Sequence, residues 1–247
     1  MDVSESWRLE LAERKISTFT ELHADNKITY GDAILVLTAV ISALASQCWP
    51  GKSLDRCRFN QLLVDYAPET RTISVPLLMK HFESNGKTDL ASTLKSHFDS
   101  CIPLGSIPRG DIVDLSEKDV EKLLGAPCRI EVRKHSYANL LYEELRCSYS
   151  HEFKPGDRVR VHRPSWLYLE PGVFYQPYSR RDSNISENPL EPSSYQIYFD
   201  LTWIGKVLKK CSIAVDKAAK RLRRKPPIKW WITGGRCYYS RSTDDEE

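Results

Sequence analysis

Apolar residues recur at intervals of three and four over most of the first 150 positions, and that period predicts helices. Leu9, Ala12, Ile16, Phe19 and Leu22 place one over residues 7–24. Asp32 is positioned to cap a second, from Ala33 to a stop at Trp49-Pro50-Gly51; its apolar residues lie nearly all round, as suits the centre of a bundle. Ser53 is the expected cap of a third helix, which carries Leu54, Phe59, Leu62, Leu63 and Tyr66 and ends at Pro68. Ser74 followed by Pro76 opens a short fourth helix that stops at Asn85-Gly86, and Thr88 to Phe98 forms a fifth. Residues 100–115, with Pro103, Gly105, Pro108 and Gly110, read as a surface loop. Ser116 and Asp119 then resemble a capping box with Asp in place of Glu, and Gly125-Ala126-Pro127 ends the short helix they begin. Tyr137, Leu141, Leu145 and Tyr149, four apart, predict a helix over about 137–151 before the break at Pro155-Gly156.

Beyond that break the period changes. Arg158-Val159-Arg160-Val161-His162 alternates as a strand does, and so does Tyr195-Gln196-Ile197-Tyr198-Phe199. The Pro-, Ser- and Asn-rich stretch between them makes this a predicted β-hairpin insertion over about 157–199, with a long loop at 176–193. Asp200 can cap a last helix over 201–222, in which Leu201, Ile204, Leu208, Cys211, Val215, Ala218 and Leu222 form one unbroken seam. Such a seam serves a coiled coil or, more commonly, a bundle helix packed on its neighbours. The expected fold is therefore mainly α: a single helical-bundle domain over residues 1–225, a β-hairpin inserted before the last long helix, and a C-terminal tail over 226–247.

Composition fits that reading. A chain of 247 residues with 41% hydrophobic content can bury a full core. Its seven cysteines, at 48, 57, 101, 128, 147, 211 and 237, form no Cys-x-x-Cys pair and stand at no zinc-like spacing from a histidine, so a reduced cytoplasmic protein without structural metal is expected. The N-terminus has no secretory pattern, and the longest apolar run, Ala33 to Ala45, is short for a bilayer and interrupted by Thr38 and Ser42; no membrane is expected as a partner. Charge is unevenly distributed. Between Lys206 and Arg241 twelve Lys or Arg face one acid, Asp216, within a chain of formal charge +3. That asymmetry suits a polyanionic partner, and it equally suits a solvated helix face.

Few groups qualify as candidate chemistry. Gly51-Lys52-Ser53 lacks the glycine a phosphate loop needs five positions earlier, where Ser46 stands, and it follows a helix instead of a strand. Glu143 and Glu144 are neighbours about 100° apart on a helix and do not readily face one reacting atom, so solvation or ion pairing is expected of them. His23, His81, His97, His135 and His162 are scattered through different elements. His151 differs: it ends a helix five residues after Arg146 and just before a Pro-Gly break. In a regular helix the two side chains stand about 140° apart and do not meet. They converge only if the helix loosens near Ser150 or if two copies of it face each other across a dimer. An imidazole that titrates near neutrality can move a proton to or from RNA while a guanidinium holds the phosphate, and that chemistry requires no cofactor.

Arg146-Cys147-Ser148-Tyr149-Ser150-His151 resembles the Arg-x4-6-His motif of the HEPN superfamily, all-helical domains that include many metal-independent ribonucleases of toxin, defence and RNA-processing systems. The preceding Tyr137 to Leu145 is similar to the family's apolar helix, His151-Glu152-Phe153 to its short exit, and Ile197-Tyr198-Phe199 running into Leu201 to the element that often follows. The resemblance implies a homodimeric, metal-independent endoribonuclease in which Arg146 stabilises the scissile phosphate and His151 is the general acid-base. Cys147 stands where the family usually has a polar residue; Cys147 and Ser150 are candidate helpers, although a thiol donates weakly. Lys209, Lys210, Lys217 and Lys220 are the expected RNA-backbone contacts, with Lys206 and Arg221 on the same face, and Trp230-Trp231 and Tyr238-Tyr239 offer surfaces for stacking or for docking the tail. A neutralising partner protein belongs to the same expectation. Two other readings stay open: a non-catalytic HEPN-like RNA- or nucleotide-binding module, and an interaction protein or adaptor in which Arg146 pairs with Glu143.

Overall fold

The computed structural model describes residues 7–49, 55–103, 106–125, 127–161, 171–178 and 194–221, with side chains from 9 to 216 within those ranges except at 178. The chain is mainly helical, with a two-stranded antiparallel hairpin before the last long helix. Helix α1 spans Trp7–Ala24. Helix α2, Tyr30–Cys48, starts three residues earlier than the sequence suggested. Thr29 is its N-cap and Asp32 the third residue of a reciprocal capping box, so Asp32 reaches back to the helix start and does not itself form it. At 19 residues α2 is long and apolar enough to cross a membrane by length and composition. In this fold Ala33, Ile34, Leu37, Ile41 and Ala45 are fully enclosed by the protein, and α1, α3 (Asp55–Tyr66) and α11 (Leu201–Arg221) pack around the helix.

Local signals set several boundaries. Ser74 accepts from the Leu77 amide to open α4, Val75–Ser84, with Pro76 in its first turn. Ser116 does the same through Asp119 for α7, Glu117–Leu124, and Gly125 ends that helix in the left-handed region at φ 66°. Asp200 takes the Thr202 and Trp203 amides at the start of α11. Helix α5, Thr88–Cys101, runs one turn past its predicted end. Three short pieces had no periodic signal because each is about one turn long: a 3₁₀ turn at Pro68–Arg71, α6 at Gly110–Val113 and α8 at Arg129–Arg133. Cys48, Cys101, Cys128, Cys147 and Cys211 are free thiols, whereas Cys57 is disulfide-bonded, where only thiols were expected.

The hairpin is paired differently from the expectation. Strand β2, Ser194–Phe199, pairs with β1, Val173–Tyr178, from Val173 opposite Phe199 to Tyr178 opposite Ser194. Residues 158–160 instead touch the other edge of β2 through one parallel bridge, in which the Arg160 amide donates to the Ile197 carbonyl at 2.8 Å. Pro171 and Pro177 disguised β1 as loop; a proline is tolerated in an edge strand, where it withholds one ladder donor. Residues 179–193, most of the predicted loop, lie outside the described residues, as do His162, the Gly51-Lys52-Ser53 stretch and the tail from 222 onward.

The hairpin and the start of α11 close the core. The Tyr30 hydroxyl donates to the Phe199 carbonyl at 2.7 Å, and the Tyr137 ring meets Phe199 and Trp203 edge-on at 5.6 and 5.7 Å. Beneath them, the Tyr137 and Tyr175 hydroxyls converge on one oxygen of Asp114, and the Val75 amide donates to the other at 2.9 Å. Burial pushes this carboxyl up to about 7, even though the residue as a whole keeps some exposure, because its oxygens face these partners and not water. The cluster ties the starts of α4, β1 and the motif helix together.

Candidate functional site

The motif helix begins where Ser136 accepts from the Asn139 amide. It continues without a break through α9, Tyr137–Leu140, a π-helical segment, Leu141–Cys147, and α10, Ser148–Glu152. Phe153 ends it in the left-handed region at φ 53° and is 84% exposed. Leu141, Leu145 and Tyr149 face the core as their spacing predicted. The Tyr149 ring lies so close over Gly31 of α2 that a methyl group there would overlap it. Loosening near Ser150, one of the two ways the motif could converge, does not occur: residues 148–152 are α-helical.

The wider π turn surrounds the motif with charge. Asp55 and Arg56 approach from α3 and Arg158 from beyond the Pro155-Gly156 break. Arg158 holds both carboxylates at once: its Nε donates to Glu144 at 2.7 Å and its Nη2 to Glu143 at 3.1 Å. Glu143 also pairs with Arg56 and accepts from Asn139 at 3.1 Å. The expectation of ion pairing for Glu143 and Glu144 is met. Gly156 donates to the Glu144 carbonyl at 2.8 Å, and a side chain at Gly156 would overlap the Glu144 carboxylate.

Arg146 sits at the edge of this network. Its guanidinium lies 5.5 Å from the centre of the Tyr142 ring, 4.0 Å from Asp55 and 3.8 Å from the Cys147 sulfur, and the side chain keeps 22% exposure. The pairing of Arg146 with Glu143 is therefore corrected: Asp55 is its acid, and Glu143 belongs to Arg56 and Arg158. Burial drives the Tyr142 phenol up to about 12, with Cys147 adding to the rise and Arg146 opposing it. His151 and Ser150 are exposed at the helix end, and His151 has no hydrogen-bond or ion-pair partner among the described residues. Among the described residues no hydrogen bond or ion pair joins Arg146 to His151, and the contacts of Arg146 go to Tyr142, Asp55 and Cys147. Cys147 is half-buried against the core.

On α11 the apolar seam is buried through Val215, and the basic face is exposed. Lys209 pairs with Glu13 of α1 and Lys210 with Glu69, each at 2.7 Å, while Lys206 has no partner among the described residues. The side chains of Lys217 and Lys220 lie outside the described residues. Surface pairs of this kind contribute about 0–1 kcal/mol and exchange readily for a phosphate. Helix α11 and the motif helix share α2 and α3 as neighbours, and Lys209 and Lys210 pair with Glu13 and Glu69 while Arg146 pairs with Asp55.

The sequence hid a second concentration of chemistry. His81 of α4 and His135, 54 positions later, lie with ring centres 4.8 Å apart beside a polar cleft of about 440 Å³ that Arg158 also lines. Only the antiparallel approach of residues 72–74 to 135–137 brings them together, and one sequence carries no signal of it. Among the described residues no group of three or more His, Cys, Asp or Glu side chains is placed to hold a metal ion. No family model matches the chain, and no curated protein or solved structure matches it either.

Proposed function

We propose that the chain is a metal-independent endoribonuclease of HEPN type, acting as a homodimer, with His151 as general acid-base and Arg146 as the phosphate-binding group. The observation that carries this reading is the state of the two side chains on one continuous helix. His151 is open to solvent and uncommitted, whereas Arg146 is braced by Tyr142 and Asp55 with part of its guanidinium still accessible. A braced cation and a free imidazole suit phosphate stabilisation and proton transfer respectively. Within one chain the two do not touch, so the reading requires a second copy of the helix to complete the site.

The nucleophile would be the 2′-hydroxyl next to the scissile phosphate, already tethered to it. An imidazole takes its proton, a 2′,3′-cyclic phosphate forms, and the departing 5′-oxygen receives a proton. Cleavage should persist in excess chelator and stop when the scissile nucleotide is made 2′-deoxy, with binding almost unchanged. Cutting of the 2′-deoxy substrate, or activity only with added divalent metal, would refute the mechanism. A second reading, a non-catalytic RNA- or nucleotide-binding module, is favoured by the commitment of Arg146 to Asp55 and Tyr142. Binding without cleavage under every condition would select it.

A further inference from the structure

The cleft beside the two histidines is built from parts of the chain far from the motif. Leu77, Lys80, His81 and Ser84 of α4 form one wall, and Ser194, Tyr195 and Gln196 of β2 form another. His135, Asp157 and Arg158 complete it. At about 440 Å³ it has the size of a small-molecule site, and its lining surface is evenly divided between polar and apolar.

Its donors are unusually free. Lys80 is exposed and has no ion-pair partner among the described residues. Arg158 spends Nε and Nη2 on Glu143 and Glu144, which leaves the two N–H donors of Nη1 without a partner among the described residues. The Asn85 amide nitrogen lies 3.3 Å from Nδ1 of His81 and donates to it, so the ring proton of neutral His81 sits on Nε2. That Nε2 is buried and has no hydrogen-bond partner among the described residues, a costly state that a shift of the ring toward a bound acceptor would relieve. Glu131 does not supply one: its carboxylate is 3.9 Å from Nε2 and both its oxygens are taken by Lys87 at 2.7 Å. Behind His81, His135 donates from Nδ1 to the Glu131 carbonyl at 2.9 Å and remains a neutral wall.

We propose that this cleft binds a phosphomonoester of nucleotide size, its phosphate held by Lys80, His81 and Nη1 of Arg158. Three donors of three kinds, an ammonium, an imidazole and a guanidinium, line one cleft whose lining offers one acid, Asp157, and that combination suits a multiply charged oxyanion. Leu77 and the half-buried Tyr195 supply an apolar and aromatic wall for a planar base, and Asp157 and Gln196 are suited to sugar hydroxyls. The site is independent of the ribonuclease reading, since neither Arg146 nor His151 lines it.

The test is calorimetric titration of the full chain with the four nucleoside 5′-monophosphates, the matching nucleosides and inorganic phosphate. At least one monophosphate should bind with a Kd of about 1 mM or tighter, and its nucleoside at least about tenfold more weakly. Lys80→Ala, at an exposed position that should not disturb folding, and His81→Asn should each weaken the monophosphate by about tenfold or more. Arg146→Ala should keep the wild-type affinity, so loss of cleavage and loss of nucleotide binding report on different sites. Binding of none of the four at about 5 mM overturns the proposal. So does wild-type affinity in both Lys80→Ala and His81→Asn, or affinity lost in Arg146→Ala alone, which would place the ligand on the motif helix.

Discussion

The end of the motif helix and the cleft beside α4 both gather basic and imidazole groups, but in opposite ways. Arg146 and His151 come from one short stretch, are visible as a spacing, and do not meet within the chain. His81, His135, Lys80 and Arg158 come from three separate stretches, show no spacing, and line one cleft. A local motif can thus be legible and unassembled while a nonlocal cluster is assembled and illegible. Arg158 belongs to both, because its guanidinium spans from the cleft to Glu143 and Glu144 on the π segment.

The largest effects that sharpen this contrast concern the buried groups that hold the two regions in place. Burial holds His135 down at about 3, far below its ordinary value near 6.5, so the unfolded chain binds the extra proton between those values. Its contribution to stability is present above about pH 6.5 and is lost as pH falls toward 3. Asp114 acts in the reverse sense: its carboxyl is raised to about 7, so its contribution is present below about pH 4 and is lost as pH rises toward 7. Each is worth on the order of 4 kcal/mol across its window, and the two oppose each other between about pH 4 and 6.5. Urea unfolding of His135→Gln across that range should expose a stability that falls with pH, and Asp114→Asn one that rises. A variant whose pH slope matches the wild type would show that its group does not carry the shift.

Next in size is the motif itself. His151→Ala and Arg146→Ala should each reduce RNA cleavage by a hundredfold or more, about 2.7 kcal/mol. Their stabilities should differ: His151→Ala should leave the unfolding midpoint unchanged, whereas Arg146→Ala should lose up to about 1 kcal/mol with the Tyr142 and Asp55 contacts. Cleavage at the wild-type rate in either variant removes the catalytic assignment. A substitution between the two regions comes third. Gly156→Ala should destabilise by about 1–3 kcal/mol, because the new methyl overlaps the Glu144 carboxylate that Arg158 holds. If denaturant unfolding finds it neutral, the Glu144–Arg158 contact is not fixed. The smallest effect is expected at Cys147, where Ser is similar in size and Sγ makes weak contacts with Arg146 and Tyr142; Cys147→Ser should keep cleavage within about threefold. A large loss with the fold intact would give the thiol a role of its own.

What the sequence made legible was whatever one residue or one period decides. Ser74 with Pro76, Ser116 with Gly125, and Asp200 each marked a helix end that the fold keeps, and the seam from Leu201 to Val215 is the buried face of α11. Pairing partners were not legible. The alternation at 158–162 predicts half of the hairpin, yet that half is β1, which starts just after Pro171 and contains Pro177, because strand pairing is settled by packing between distant residues. The candidate site divides along the same line. The positions of Arg146 and His151 could be read directly, but the bracing by Asp55 and the joining of Glu143 to Glu144 through Arg158 depend on α3 and on the turn at Gly156.

The π segment sets the angular phase of everything after it. Such segments accommodate about one residue more than the α-helix they interrupt. Deleting one residue between Leu141 and Cys147 would let the α ladder close with the direction of residues 148–152 nearly unchanged, whereas tightening the segment to α with its residue count kept would turn them by about 100° relative to the start of the helix. Tyr149 could not then stay on Gly31 while Leu141 kept its place in the core, so the helix end would have to choose between its anchor and its direction. The interval between Arg146 and His151 is consequently a matter of rotation as much as of residue count. Two chains with the same spacing, one with the π segment and one without, would present that imidazole to different neighbours.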